Sequence, residues 1–277
     1  MITPSTKDFS KLCIHTQTTK PWTIEECIIN FASAGIKGIT IWRHRLEGKD
    51  LDKIKSLLNS NRMDVVSLVR GGFFPSVDPK KRLLAIEDNQ LAIEQASALG
   101  APLVVLVCGA EPKQSLELSR QQIKEGITAL IPLAKKRRVK LAIEPLHPMY
   151  GAEKSAILTL GQANEMCELI DSPWVGIAID VYHLWWDNQL KNEIIRCGKN
   201  KNILAFHICD WRVNTMDFLT DRGLMGEGCI NIKQIREWIE AAGFDGYNEV
   251  EVFSERLWAR EQKKYLKDIK KSYINYC

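Results

Sequence analysis

The stretch LAIEPLH, Leu141 to His147, decides the fold. It is a short apolar run that stops at a carboxylate, Glu144, with a proline directly after it. Apolar runs of about four to six residues between turn signals are the pattern of a strand buried on both faces. The pattern recurs three times downstream: GIAID ends at Asp180, NILAFH ends at His207, and YNEVEVF carries Glu249 and Glu251. Four successive buried strands, each delivering a carboxylate or an imidazole at its far end, point to convergence on one place.

Outward from that stretch, strand and helix alternate along the chain. KLCIHTQ (11–17), GITIW (38–42), DVVSLVR (64–70) and PLVVLVCG (102–109) read as the first four strands. Helical spacing separates them. Ile24, Cys27, Ile28 and Phe31 mark the first helix, which closes at Gly35, and Leu51, Ile54, Leu57 and Leu58 mark the second. A third helix over 80–99 stops at Gly100, and the fourth shows Ile123, Ile127, Leu130, Ile131 and Ala134 on one face. After LAIE come a helix near 160–170, the strand 176–180, a helix near 188–198 and the strand 202–209. A long loop, 210–229, precedes a helix carrying Ile232, Ile235 and Ile239; the strand 247–253 and a last helix with Leu266, Ile269 and Tyr273 inward complete the chain.

Eight strands alternating with eight helices predict a parallel sheet with helices outside it. Eight units in 277 residues predict closure into one (β/α)8 TIM barrel, a single domain over 1–277, since such barrels run to about 250 residues. No GxGxxG follows the first strand, which argues against a dinucleotide fold.

Composition narrows the class. The chain is 45% hydrophobic and 26% charged, with a net charge of +4, too mild to require a nucleic acid or a membrane as partner. The N-terminal MITPSTKDFSKLC has no apolar core of a signal peptide, and no apolar run reaches membrane-spanning length. The eight cysteines form no CxxC pair, so they read as reduced thiols and the cytoplasm as the expected compartment.

In a barrel of this kind the site lies at the C-terminal ends of the strands, where Glu144, Asp180, His207 and a strand-eight glutamate fall. Three carboxylates held close repel one another, and a divalent cation removes that cost. Oxygen-rich ligation with one imidazole favours Mn2+, Mg2+ or Co2+ over a thiolate zinc site. Glu249 and Glu251 are two apart and share a face; the outer one, Glu251, should reach the mouth.

IDVYH (179–183), FHICDWR (206–212), GEG (226–228) and GFDGYNEVEVFS (243–254), together with LAIEPLH, resemble the xylose-isomerase-like TIM-barrel family of sugar and sugar-phosphate isomerases and epimerases. The resemblance spans roughly the whole chain and is strongest from Leu141 onward. It implies one divalent metal, with Mn2+ foremost and Zn2+ also admissible, held by Glu144, Asp180, His207 and Glu251. It also implies that Glu144 and Glu251 are the catalytic pair, exchanging a proton at the carbon next to a carbonyl. The chemistry is consistent: a cation chelating a hydroxyl and its neighbouring carbonyl stabilises an enediolate, and carboxylates on its two sides remove and return the proton.

Around that centre, His147 and His183, each three residues past a ligand, are candidates for substrate contact, as are Arg212, Arg43 and Arg70. Arginines at a barrel mouth suit a carboxylate or a phosphate. Asp210, three past His207, is expected to orient that imidazole. His15 is a weaker candidate, and Glu227 sits in GEG without a clear role. Trp42, Trp185, Trp186 and Trp211 fall on the same face, where they could stack on a sugar ring, exclude water or form a subunit contact. The expected partner is a small sugar-like molecule, and a homo-oligomer is compatible.

Three rival functions share parts of this pattern. A dehydratase or lyase of an inosose or keto-sugar starts with the same proton abstraction. An endonuclease IV-like nuclease would need three zinc ions and more histidines than the five present. A non-catalytic sugar-binding barrel would keep the metal as structure.

Overall fold

A computed structural model describes residues 8–151 and 153–277; the first seven residues, which begin the segment read as leaderless, lie outside the described residues. The eight strands are β1 (Leu12–His15), β2 (Gly38–Trp42), β3 (Asp64–Gly72), β4 (Leu103–Val107), β5 (Lys140–Ile143), β6 (Val175–Asp180), β7 (Ile203–Ile208) and β8 (Asn248–Val250). They are all parallel and close in sequence order, with β8 pairing back onto β1.

The long helices are α1 (Ile24–Ser33), α2 (Leu51–Ser60), α3 (Pro79–Leu99), α4 (Leu116–Arg137), α5 (Leu160–Ile170), α7 (Leu190–Lys199), α8 (Ile232–Ala241) and α10 (Gln262–Tyr276). Two single-turn helices, α6 (Val181–Leu184) and α9 (Glu255–Trp258), and 3-10 turns at Arg43–Leu46 and Pro148–Tyr150 lie just beyond strand ends. The sequence pattern does not show these turns, because four residues carry too little periodicity to read. His183 sits on α6. None of the described helices is long and apolar enough to cross a membrane.

Local signals set the helix ends. Thr23 and Glu26 form a reciprocal capping box at the start of α1. Gly100, at φ +79°, ends α3 in the left-handed conformation that a side chain resists.

Each strand alternates large outward and small or polar inward residues. Leu141, Ile143, Ile177, Ile179, Phe206, Ile208 and Val250 pack outward in the shell between sheet and helices. Ala142, Ala178 and Ala205 point into the barrel with Val69, Leu103 and Val105. Two residues further along, on the same inward face, come Glu144, Asp180 and His207. Small side chains in one layer thus leave the polar groups of the next layer room to turn toward the axis. Register fixes their heights: Asp180 pairs with His207, and His207 with Glu249. Glu251 stands one layer higher, its N–H donating to the Ile208 carbonyl at 3.1 Å.

Candidate metal centre at the barrel mouth

Glu144, Asp180, His207 and Glu251 each offer one donor atom, and those atoms all lie within 4.8 Å of one another. All four residues are buried. The trio His15, His207 and Glu251 meets the same distance criterion, so the first strand contributes as well. Glu249 is level with Asp180 and His207 in the sheet register, one layer below Glu251.

His207 Nδ1 lies 2.9 Å from Glu144 Oε1. Burial alone would depress the imidazole, but the bond to Glu144 and the charge of Glu249 prevail and lift it to about 10. Its Nε2 has no hydrogen-bond partner among the described residues and stands 3.8 Å from Glu249 Oε2. Asp180 divides its oxygens. Oδ1 accepts from Tyr182 N at 2.8 Å and so caps α6, while Oδ2 faces Arg222 Nη1 at 3.3 Å and His183 Nε2 at 3.6 Å. Burial pushes this carboxyl up to about 7, against the pull of Arg222. Glu251 Oε1 meets His15 Nδ1 at 2.9 Å and Oε2 meets Arg222 Nη1 at 2.9 Å. Burial would raise Glu251, yet His15 and Arg222 hold it well below the usual carboxylate range.

Glu249 is held by side chains of β1, β2 and β3. Thr40 Oγ1 and Ser67 Oγ donate to its Oε2 at 2.5 and 3.0 Å, and His15 Nε2 lies 3.3 Å away. Buried carboxylates packed this densely carry a charge cost that a cation would offset. The donor set, three carboxylates and one imidazole with orphaned nitrogens close by, fits a divalent ion. His207 would have to give up the Nδ1 proton to hold it.

The remaining candidates divide. His183 is buried beside the four, with Nδ1 unpartnered among the described residues, and burial holds it well below the ordinary histidine value. Arg70 lines the cavity that Glu144 and Glu251 face. Arg43 turns away: it makes a two-pronged pair with Asp88, at 2.8 Å on each side, and donates to Gln95. Arg212 pairs with Asp221. His147 caps the Pro148–Tyr150 turn through Nδ1 and lies against Trp186 and Trp211.

Asp210 does not orient His207. Its two oxygens accept from the backbone N–H groups of Trp211, Gly226, Gly228 and Ile230, so it ties down the long loop instead. Gly226, at φ +91°, is part of that tie. Glu227 bonds Leu224 N and Arg256 away from the centre. Trp185 and Trp211 cluster with Tyr182 and His147, while Trp42 packs against Phe253 at the cavity.

Arg222 also enters the site, though the sequence pattern does not single it out. It lies in the long loop, far from any strand end, and nothing in DRGLMGEG marks it. The loop folds back through backbone bridges, Asp210 with Gly223 and Asp221 with Ser254, and these carry the guanidinium into the mouth over the Tyr182 and Phe253 rings.

Comparison with known proteins bears on the fold and the family. The family model described as xylose isomerase-like TIM barrel matches residues 29–269. Inosose isomerase of Halalkalibacterium halodurans is 25% identical over 233 residues, 83% of this chain and 80% of the relative. The 2-oxo-tetronate isomerase of Haemophilus influenzae is 25% identical over 231 residues, 78% of this chain and 82% of the relative. A crystal structure of a Sinorhizobium meliloti 1021 protein superposes with a TM-score of 0.94 at 43% identity, covering 98% of this chain and 99% of that one. The IolI protein with a bound zinc atom shares the fold, with a TM-score of 0.84 at 23% identity over 96% of this chain and 97% of that one. With the family model running from α1 into α10 over a closed eight-stranded barrel, the chain belongs to the xylose isomerase-like TIM barrel family.

Proposed function

We propose that the chain is a divalent-metal-dependent isomerase or epimerase of a small sugar, sugar phosphate or keto-sugar. One observation carries the reading: four donor atoms from Glu144, Asp180, His207 and Glu251 lie within 4.8 Å of one another, beside a cavity of about 360 Å3. The names of the relatives, an inosose isomerase and a 2-oxo-tetronate isomerase, support the substrate class. The oxygen-rich donor set favours Mn2+, with Mg2+, Co2+ and Zn2+ as alternatives.

When bound, the cation would supply Lewis acidity that polarises a carbonyl and makes the neighbouring C–H acidic. Glu144 and Glu251 move the proton. They rise from the ends of β5 and β8, three strands apart round the barrel, and so approach a substrate from different sides. Glu144 has one oxygen on His207 and the other without a protein partner among the described residues. Arg222 and His15 keep Glu251 ionised. Return of the proton to the same carbon from the other side inverts that centre, and return to the neighbouring carbon interconverts aldose and ketose. His183, neutral and buried, offers Nδ1 to a substrate hydroxyl, while Trp42, Leu146 and Phe253 line the cavity and shield it from water.

The test is incubation of the Mn2+-loaded protein with ketoses, keto-sugars and inososes in deuterated water, followed by NMR and mass spectrometry. The proposal expects solvent deuterium at a carbon next to the carbonyl, with no other change of mass, and its loss in Glu144→Gln. Loss of water would instead reassign the chain to a dehydratase. Binding without exchange in any substrate would leave a sugar-binding barrel.

A further inference from the structure

Arg70 stands at the cavity rim with its hydrogen-bonding capacity unspent. Its carbonyl accepts from Arg43, but among the described residues no oxygen accepts from its guanidinium and no carboxylate pairs with it. Aromatic faces hold the group instead: its central carbon lies 4.7 Å from the centre of the Phe73 ring and 5.8 Å from that of Trp42. A guanidinium held against two rings keeps five N–H donors in a fixed plane.

A second cation shares the rim. Lys154 Nζ sits 4.5 Å from the centre of the Tyr150 ring, again with no carboxylate paired to it among the described residues. Burial lowers this amine, and the like charges of Arg70 and Arg222 lower it further. Arg70, Lys154 and Arg222 line one cavity with Glu144 and Glu251. Arg222 is committed to Asp180 and Glu251, whereas the two rim cations meet rings and, among the described residues, no carboxylate. Once a doubly charged ion is bound, it and these three cations outweigh Glu144, Asp180, Glu249 and Glu251. A neutral sugar gives such a rim nothing to neutralise. Arg43, close by in sequence space to the same role, is already spent on Asp88, so the free charge at the rim is not a general property of this face.

We propose that the substrate carries an anionic oxygen group, a carboxylate or a phosphate, at the end remote from the reacting carbonyl, and that Arg70 and Lys154 bind it. This rests on the isomerase reading for the reacting end, but the anion site itself does not require turnover. Arg70 supplies a planar fork that engages two oxygens, and Lys154 supplies a mobile point charge. Both are specificity-determining residues outside the metal centre.

The test uses calorimetry on the Mn2+-loaded protein with three matched probes: glycerol, glycerate and glycerol 3-phosphate. One of the two anions is expected to bind at least about tenfold more tightly than glycerol, the step one charge-assisted contact supplies. Which anion wins separates carboxylate from phosphate. Arg70→Met and Lys154→Met should each erase about tenfold of that preference and leave glycerol binding and metal stoichiometry unchanged. Anion preference that persists in both variants means that the probe binds the metal alone, and overturns the proposal. Equal binding of all three probes to the unmodified protein overturns it too. Deuterium exchange is read separately, so a protein that prefers an anion but exchanges nothing contradicts the isomerase reading and not the anion site.

Discussion

Arg222 Nη1 lies 2.9 Å from Glu251 Oε2, both groups buried inside the barrel mouth. The same nitrogen is 3.3 Å from Asp180 Oδ2, so one guanidinium braces two of the four converging groups. Replacing Arg222 by Met takes the guanidinium from Asp180 and leaves Glu251 with His15 alone. Breaking such a pair costs about 3–5 kcal/mol, so the metal-free protein should melt well below the unmodified one. Excess Mn2+, which supplies positive charge at the same place, should recover part of the loss. Thermal melts with and without the ion check this; equal loss in both conditions would contradict it.

Glu249 stands beside His207 in the sheet register and accepts from Thr40 and Ser67. Glu249 makes no hydrogen bond to the ring, its Oε2 lying 3.8 Å from His207 Nε2, but its charge helps raise the imidazole, and losing a carboxylate behind a metal-binding histidine typically weakens metal binding by about 10–100-fold. Glu249→Gln keeps the shape and removes the charge, so Mn2+ affinity by calorimetry should fall within that range. An unchanged affinity would make Glu249 a packing residue only.

Asp210 holds four backbone N–H groups of the long loop. Asp210→Ala should cost at least about 2 kcal/mol, since bonds to a charged acceptor contribute about 1.5–3 kcal/mol each and are not additive. Limited proteolysis should then cut within 211–229, while the stoichiometry of Mn2+ binding stays the same. Loss of metal binding with an intact loop would restore the expected link to His207.

Among the described cysteines Cys229 is the exposed one, and Cys13, Cys27, Cys108, Cys167, Cys197 and Cys209 are buried. Burial pushes the Cys27 thiol up to about 11 and the Cys167 and Cys277 thiols up to about 12. Only thiolates react quickly, and a raised value means fewer thiolates at neutral pH. A disulfide reagent at pH 7.5 should therefore titrate one thiol fast in the folded protein and all eight in denaturant. The fast rate should rise with pH, because Cys229 is itself raised by burial. Several fast thiols in the folded state would contradict the packing described.

The barrel was legible because each strand writes its position twice, in the outward Leu, Ile and Val and in the turn that stops the run. Glu144, Asp180 and His207 were legible for the same reason: each is where such a run ends. Arg222 was not, because it reaches the mouth through hairpin bridges at Asp210–Gly223 and Asp221–Ser254, which leave no period in the sequence. Arg43 and Arg70 look alike at strand ends, yet Asp88 on α3 captures the first, while the second pairs with no carboxylate among the described residues. Asp210 resembled a partner for His207 by spacing alone, but backbone N–H groups eighteen and twenty residues away along the chain claim it.

The central claim is that the tips of β5 to β8 surround one cation. Anomalous diffraction from a Mn2+-soaked crystal measures this directly. A single strong peak is expected in each chain, on the order of 2–2.5 Å from oxygens of Glu144, Asp180 and Glu251 and from His207 Nδ1. No peak, or a peak that those four side chains do not share, would contradict it.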